Sequence, residues 1–323
     1  MTVGSPLLAV RGLRKEFRAA GNGRAVRVRA VWDVSFDVED GETLALVGES
    51  GSGKTTTARL LLRLEESDAG SVRFDGLDWL SLPLQELNRQ RRKIGVVFQD
   101  PATSLDPKMS VEEIVTEPLA IHRLGSRPER RARARELLAS VGLASSALPK
   151  RPSEFSGGQR QRIAIARALA TAPRLLVLDE PVSALDVSVR AQVLNLISDL
   201  REKADPRPAS LFIGHDLSVV AHVADRTAVL YRGRIVEEGP TPELFRSPRH
   251  HYTALLLASQ PRRTPEGRSA TEAAAGAGEA AAAPSTGCPF HPRCPAARAR
   301  CREEAPPETT EGARRFSCFE PAG

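Results

Sequence analysis

Residues 48–55 read Gly-Glu-Ser-Gly-Ser-Gly-Lys-Thr. This spacing fits G-x-x-x-x-G-K-[ST], a loop that wraps nucleotide phosphates. Gly48, Gly51 and Gly53 let the backbone approach anionic oxygen with no Cβ in the way. The N–H groups of Glu49, Ser50, Ser52 and their neighbours as far as Thr56 then converge on phosphate, aided by the start of a helix. Lys54 supplies charge to the outer phosphates, and Thr55 supplies a hydroxyl to Mg²⁺. A second group lies at residues 175–180, Leu-Leu-Val-Leu-Asp-Glu, an aliphatic run that ends in two acids. Beside a phosphate loop, Asp179 would reach Mg²⁺ through water and Glu180 would polarise a hydrolytic water. A third group, Ser156-Gly157-Gly158-Gln159, opens a helix whose N–H groups make an anion site. The chemistry these residues suggest is hydrolysis of a nucleoside triphosphate.

Such groups need strands and helices to position them. Thr43–Val47 follows a Gly41-Glu42 turn and has the aliphatic run of a buried parallel strand, and 55–62 has a helical pattern. Strand, glycine loop and helix is the setting the first motif requires. Ahead of it, 8–17 and 31–38 suggest antiparallel strands separated by a polar, Gly-containing insertion at 18–29. Behind it, the helix runs to about Leu64, with strands at 71–74 and 94–98. Helices are expected at 111–121, 128–141 and 157–171, so that roughly 110–171 is a helical insertion. Parallel α/β structure then resumes with a strand at 174–178, a helix at 187–203, a strand at 210–213, a helix at 217–223 and a strand at 226–231. No internal repeat is visible.

The chain has 323 residues, of which 41% are apolar and 4% aromatic, enough for one large or two modest aliphatic cores. No apolar run approaches the ~18 residues of a membrane span. No secretory signal precedes the first strand, so a cytosolic location is expected. The net charge of +6 permits an anionic neighbour without requiring one. Of 46 basic residues only six are Lys, a skew that makes the run Arg127–Arg135 a solvated helix face before it is a nucleic-acid site.

The order of motifs over residues 8–258 resembles the ATP-binding subunit of an ABC transporter. Ser156-Gly157-Gly158-Gln159 is similar to that family's signature motif, with Phe155 where Leu is commoner. Gln99 in Phe98-Gln99-Asp100-Pro101 resembles the Q-loop glutamine that senses Mg²⁺. Ser183-Ala184-Leu185-Asp186 resembles the D-loop. His215 resembles the switch histidine that contacts the γ-phosphate, although Gly214 departs from the usual Ser or Thr. Phe17 stands where the family stacks a ring on adenine. The resemblance implies a P-loop NTPase, RecA-like α/β core with an antiparallel β subdomain and an inserted helical subdomain. It also implies that ATP sits between one subunit's loop and the partner's signature segment.

Phe98–Pro101, Ser104-Leu105-Asp106-Pro107, Glu180–Val187 and Ser247–Thr253 resemble the oligopeptide/dipeptide importer branch, which also serves small solutes such as nickel. Pro181-Val182-Ser183-Ala184-Leu185-Asp186 and Gly287–Pro295 resemble the second, F-type subunit of its paired ATPases. The resemblance implies a heterodimer with a sister ATPase, two membrane permeases and an extracytoplasmic binding protein, with no nucleic acid. The chain would then lie at the cytoplasmic face of the membrane. Rival readings are a soluble ATPase of translation or DNA repair, and a regulatory module that holds nucleotide without hydrolysis. A single cassette without a long coiled-coil insertion disfavours the first. The acids and His215 disfavour the second.

All four Cys lie beyond residue 287, spaced C-x₅-C-x₆-C-x₁₆-C at Cys288, Cys294, Cys301 and Cys318. Four thiolates suit Zn²⁺ or a [4Fe–4S] cluster. The wide spacing favours the cluster, free or oxidised thiols are a third state, and His291 is an alternative ligand. Members of the resembled family with this pattern can carry such a cluster. Residues 288–323 are too few for an aliphatic core of their own, which makes a metal staple plausible. Residues 259–287, rich in Ala, Gly and Pro, suggest a flexible linker between the ATP-binding part (1–258) and this tail.

Overall fold

Uninterrupted aliphatic runs become the buried parallel strands, because a strand covered on both faces has no position for a polar residue. A computed structural model describes residues 5–21, 24–260 and 286–322. Most of the expected linker falls at 261–285, outside the described residues. The first elements are β1 (Leu8–Gly21), β2 (Arg24–Val38), β3 (Thr43–Val47), α1 (Lys54–Leu61), β4 (Ala69–Phe74), β5 (Leu77–Asp78) and α2 (Leu84–Gln90). Next come β6 (Ile94–Val97), α3 (Pro101–Ser104), α4 (Val111–Ile121), α5 (Arg127–Ser140), α6 (Gly157–Ala168), β7 (Leu175–Asp179) and α7 (Val187–Lys203). Then follow β8 (Ala209–Gly214), α8 (Leu217–Val223), β9 (Arg226–Tyr231), β10 (Arg234–Pro240), α9 (Thr241–Arg246) and α10 (His251–Ala258). The last are α11 (Arg300–Glu303), β11 (Thr309–Glu311) and β12 (Arg314–Phe316).

The chain forms two compact units. One is built mainly from Val38–Thr43 and Asp75–Ile213, the other from Leu8–Asp37, Leu44–Phe74 and Gly214 onward. In the first unit β6, β7 and β8 run parallel, with Val97 opposite Leu178 and Asp179 opposite Ile213. Every residue of β7 and β8 is buried. The expected helical stretch is present as α4, α5 and α6. Ser110 and Glu113 form a capping box at the start of α4, which satisfies N–H groups the helix cannot. Ser126 and Glu129 do the same for α5.

In the second unit β1 pairs antiparallel with β4, and β2 flanks β1. The polar insertion expected at 18–29 is instead the meeting of two long strands. Arg27 and Arg29 alternate with Val28 and Ala30, a period-2 pattern, and both arginines pair with Glu16. A separate parallel pair joins β3 to β9, with Val47 opposite Val229. Strand β10 then runs antiparallel to β9, and the tail adds β12 to β10 and β11 to β12.

The tail thus gains its core from a sheet it joins. Glu237 and Glu238 of β10 are each 1% exposed, a costly place for carboxylates unless they are paired. Arg314 donates to Glu237 at 2.8 Å, and Arg315 Nε donates to Glu238 at 3.1 Å. Glu237 also accepts the backbone N–H groups of Arg249 and His250, both at 2.8 Å. Glu238 pairs with Arg226 as well, and its burial still pushes its pKa above the usual carboxylate range.

His250 caps α10, its Nδ1 accepting from the N–H of Tyr252 at 3.1 Å. Burial pushes its pKa down to about 3, against roughly 6.5 in an unfolded chain. Below that unfolded value, the unfolded chain takes up a proton the folded one refuses. Stability from this group is therefore fully present above about pH 6.5 and is lost as pH falls, by about 1.4 kcal/mol per pH unit. Urea melts of wild type and His250→Asn from about pH 7 to about pH 5 check this. The wild type is expected to lose about one proton's worth more stability per pH unit, and identical slopes refute it.

Candidate nucleotide-binding site

The phosphate loop lies in the second unit, between the fully buried strand β3 and helix α1. Gly48 has φ +155°, and a Cβ there would lie 2.1 Å from the carbonyl oxygen of Leu230. Only glycine lets the loop leave β3 against the end of β9. Lys54 opens α1 and is 5% exposed. Its Nζ donates to the carbonyls of Gly48 at 2.8 Å and Glu49 at 2.9 Å, and to Ser52 Oγ at 3.4 Å. The loop is thereby wound around its own ammonium group, which a phosphate would otherwise engage. Thr55 and Thr56 are half-buried at the helix start, and Ser50 and Gly51 are exposed.

Glu49 carries two further contacts. Its N–H donates to Tyr252 Oη at 2.8 Å, and its carboxylate accepts both terminal nitrogens of Arg293 at 2.8 and 2.9 Å. Tyr252 and Arg293 were not among the residues expected at the loop. Each is more than 200 positions away in sequence, so no local pattern points to either.

In the first unit the structure brings together Gln99, just past β6, and Glu180, just past β7. Gln99 Nε2 donates to Glu180 Oε2 at 3.0 Å. Glu180 has φ +45°, uncommon for a residue with a side chain. The strained turn is held by its N–H to Ile213 O at 2.9 Å and by Ser183 Oγ, which donates to its carbonyl at 3.1 Å. Such strain clusters at functional turns, where it aims a side chain. Asp179 is the last residue of β7 and is 8% exposed.

Ser156-Gly157-Gly158-Gln159 opens α6. Ser156 Oγ accepts from the N–H of Gln159 at 3.3 Å, and Gln159 Oε1 accepts from the N–H of Ser156 at 3.0 Å. Gln159 is thus occupied in capping its own helix. A Cβ on Gly158 would lie 2.4 Å from Val189 Cγ1, so the starts of α6 and α7 touch closely only because this residue is glycine. Asp186 caps α7, accepting from Val189 N–H at 2.9 Å, and that hydrogen bond lowers its pKa.

The remaining expected residues lie in the second unit. His215 is exposed, directly after β8. Phe17 lies on β1 and is 37% exposed, and Lys15 Nζ is 5.5 Å from its ring centroid.

Cys288, Cys294, Cys301 and Cys318 line one cavity together with His291 and Phe290. All four are free thiols. Burial pushes Cys288 up to about 11 and raises Cys294 and Cys318. Cys318 Sγ donates to Glu320 O at 3.2 Å, and Cys301 Sγ accepts the N–H of Arg298 at 3.5 Å. His291 Nδ1 is engaged with Cys288 O at 2.9 Å. Among the described residues no group of three or more His, Cys, Asp or Glu side chains can hold a metal ion. The expectation of a [4Fe–4S] cluster, or zinc in its place, is corrected accordingly: the four thiols share a cavity, but they form no ready-made ligand group, and burial shifts Cys288, Cys294 and Cys318 towards the protonated thiol.

Comparison with known proteins agrees with this geometry. Residues 31–183 match the family described as ABC transporter, and 236–301 match the one described as oligopeptide/dipeptide transporter, C-terminal region. The dipeptide transport ATP-binding protein DppF of Haemophilus influenzae is 43% identical, over 98% of this chain and 97% of its own length. The oligopeptide transport ATP-binding protein AppF of Bacillus subtilis is 46% identical over 86% of this chain and 85% of its own. The dimeric post-hydrolysis structure of the ATP-binding cassette MJ0796, bound to ADP and Pi, superposes with a TM-score of 0.64 at 31% identity. It covers 72% of this chain and 98% of MJ0796. A chain with the phosphate loop, the Gln99–Glu180 pair and relatives matched almost end to end belongs to the ABC transporter ATP-binding proteins, in the branch that carries the oligopeptide/dipeptide transporter C-terminal region.

Proposed function

We propose that this chain is the nucleotide-binding subunit of an importer of oligopeptides or dipeptides, and that it hydrolyses ATP to drive transport across the cytoplasmic membrane. The observation that carries the catalytic part is the Gln99–Glu180 hydrogen bond at 3.0 Å, which joins two of the residues expected to act on the γ-phosphate. ATP places its phosphates on Gly48–Thr55. Lys54 leaves the carbonyls of Gly48 and Glu49 and donates to the outer phosphate oxygens. Glu180 accepts a proton from the attacking water as its oxygen bonds to the γ-phosphorus and the bond to the leaving ADP oxygen breaks. Gln99 holds Glu180 by one oxygen, and His215 stabilises charge on the transferred phosphoryl group. The hydroxyl of Thr55, the carboxylate of Asp179 and the amide oxygen of Gln99 are hard oxygen donors of the kind that Mg²⁺ takes. That ion neutralises charge on the phosphates when bound. Phe17 stacks on adenine. The partner's signature segment, equivalent to Ser156–Gln159 here, closes over the γ-phosphate beside Asp186 of the D-loop.

The assembly that follows is a heterodimer with a sister ATPase, docked on two permeases that an extracytoplasmic binding protein supplies. Among the described residues no helix is long and apolar enough to cross a membrane, so membrane association would come through those permeases. The four thiols line one cavity, and the wide spacing of these cysteines in the sequence is what favours a [4Fe–4S] cluster over a single ion, on condition that the thiols are first deprotonated. Cys288, Cys294, Cys301 and Cys318 would hold it as thiolates, and when bound it would cross-link the loops of the tail.

Four measurements test this reading. Glu180→Gln is expected to keep ATP affinity while turnover falls by about two orders of magnitude or more, whereas Lys54→Ala is expected to lose ATP binding itself. Near-normal turnover in the first, or unchanged affinity in the second, removes that residue from its role. Gentle detergent extraction of the tagged chain should bring down two polytopic permeases and a second ATPase, and ribosomal or repair partners in their place would refute the transport role. Anaerobic incubation with iron and sulfide should give broad visible absorbance that Cys301→Ser reduces; a colourless protein with unchanged thiols rules the cluster out.

A further inference from the structure

The Cys-bearing tail reaches the phosphate loop directly. Glu49, the second residue of that loop, is held at four atoms by three side chains. Lys54 Nζ donates to its carbonyl, Tyr252 Oη accepts from its N–H, and Arg293 grips its carboxylate with both terminal nitrogens. Two of these anchors come from beyond residue 250. Arg293 lies in the short 3₁₀ turn His291–Arg293, immediately before Cys294, and its N–H donates to Phe290 O at 3.0 Å. Phe290 is 1% exposed, its ring 5.4 Å from those of both Tyr252 and Tyr231. Tyr231 follows Leu230, whose carbonyl sits against Gly48. The aromatic cluster therefore braces both residues at the start of the loop.

The three anchors do not survive nucleotide binding equally. Lys54 must leave the Glu49 carbonyl to reach a phosphate, so that anchor is lost when ATP arrives. The contacts to Tyr252 and Arg293 lie on other atoms of Glu49 and remain. A loop held before its ligand arrives gives up less conformational entropy on binding. The bidentate guanidinium–carboxylate fork fixes direction as well as distance, which a single contact cannot do.

We propose that Arg293, with Tyr252, is a positioning residue of the ATP site: it holds Glu49 so that the phosphate loop is preorganised for triphosphate, and the thiol-bearing tail thereby sets ATP affinity. The proposal rests on the reading of Gly48–Thr55 as the ATP loop. The effect is expected on binding and not on the chemical step, because the group both side chains hold is Glu49, a residue of the phosphate loop to which no role on the attacking water is given. Glu49 is 42% exposed at its side chain, so solvent screens the pair and a moderate effect is expected.

Equilibrium titration of the full-length chain with a fluorescent ATP analogue, together with steady-state ATPase kinetics, tests it. Arg293→Ala should weaken ATP binding about three- to tenfold and raise KM for ATP in step, with kcat at saturating ATP unchanged within about twofold. Arg293→Lys keeps the charge but loses the fork and should fall between. Tyr252→Phe keeps the aromatic packing, so it tests the Glu49 N–H anchor without disturbing the cluster, and should weaken binding in the same direction. Arg293→Glu alone should bind worst, and combining it with Glu49→Arg should recover most of the loss. If Arg293 only ties down the tail, Arg293→Ala lowers the melting temperature while the folded protein keeps wild-type ATP affinity, and the proposal is overturned. A wild type that binds no ATP overturns the loop reading along with it. A wild type that binds ATP, beside an unaffected Arg293→Ala, overturns this proposal alone.

Discussion

The loop from Gly48 to Lys54 is organised by one constraint: an almost fully buried ammonium must be surrounded by oxygen. Lys54 is 5% exposed, and its charge is met by the carbonyls of Gly48 and Glu49. Turning two successive carbonyls toward one nitrogen winds the loop backbone around the Lys54 ammonium. The same bend presses Gly48 against Leu230 and presents Glu49 to Tyr252 and Arg293. The ammonium that the loop's own carbonyls hold is the charge that a polyanion takes over once Lys54 turns outward.

The first unit answers a different demand. Its acids stand at the ends of buried parallel strands, where side chains emerge from an apolar sheet. Glu180 holds a left-handed backbone conformation there, secured by Ile213 and Ser183, and its carboxylate is steadied by Gln99. Helix starts do much of the remaining work. Ser156 and Asp186 each cap the helix that follows a functional segment, as Asp216 does in the second unit. Those segments are thus anchored by hydrogen bonds their own sequence supplies.

Local features of this kind were legible in the sequence. The aliphatic run of β3, the glycine loop, the two acids after β7 and the helix opened by Ser156 are contiguous, and each carries its reason within a few residues. What was not legible depends on distant partners. Strand β10 reads poorly as a strand because Glu237 and Glu238 break its apolar pattern, and it becomes one because Arg314 and Arg315 neutralise them from 77 positions away. The long arms of β1 and β2 read as an insertion because arginines and glycines obscure their alternation. Arg293 stands amid cysteines and prolines, and nothing near it in sequence says that its guanidinium faces Glu49. The shared cavity of the four thiols is likewise a product of the fold and not of their spacing.

The pairing of β12 with β10 has a consequence for how the protein is made. While a ribosome is still translating the residues between them, Glu237 and Glu238 have emerged but Arg314 and Arg315 do not yet exist. The sheet then ends in an open edge carrying two carboxylates that cannot be buried without their arginines. Its last strand must wait for nearly the entire chain to be synthesised, and with it the turn that brings Arg293 to the phosphate loop. A chain lacking residues 314 and 315 would leave those two carboxylates without the arginines that allow their burial, at an edge with an unfilled row of backbone N–H and C=O groups.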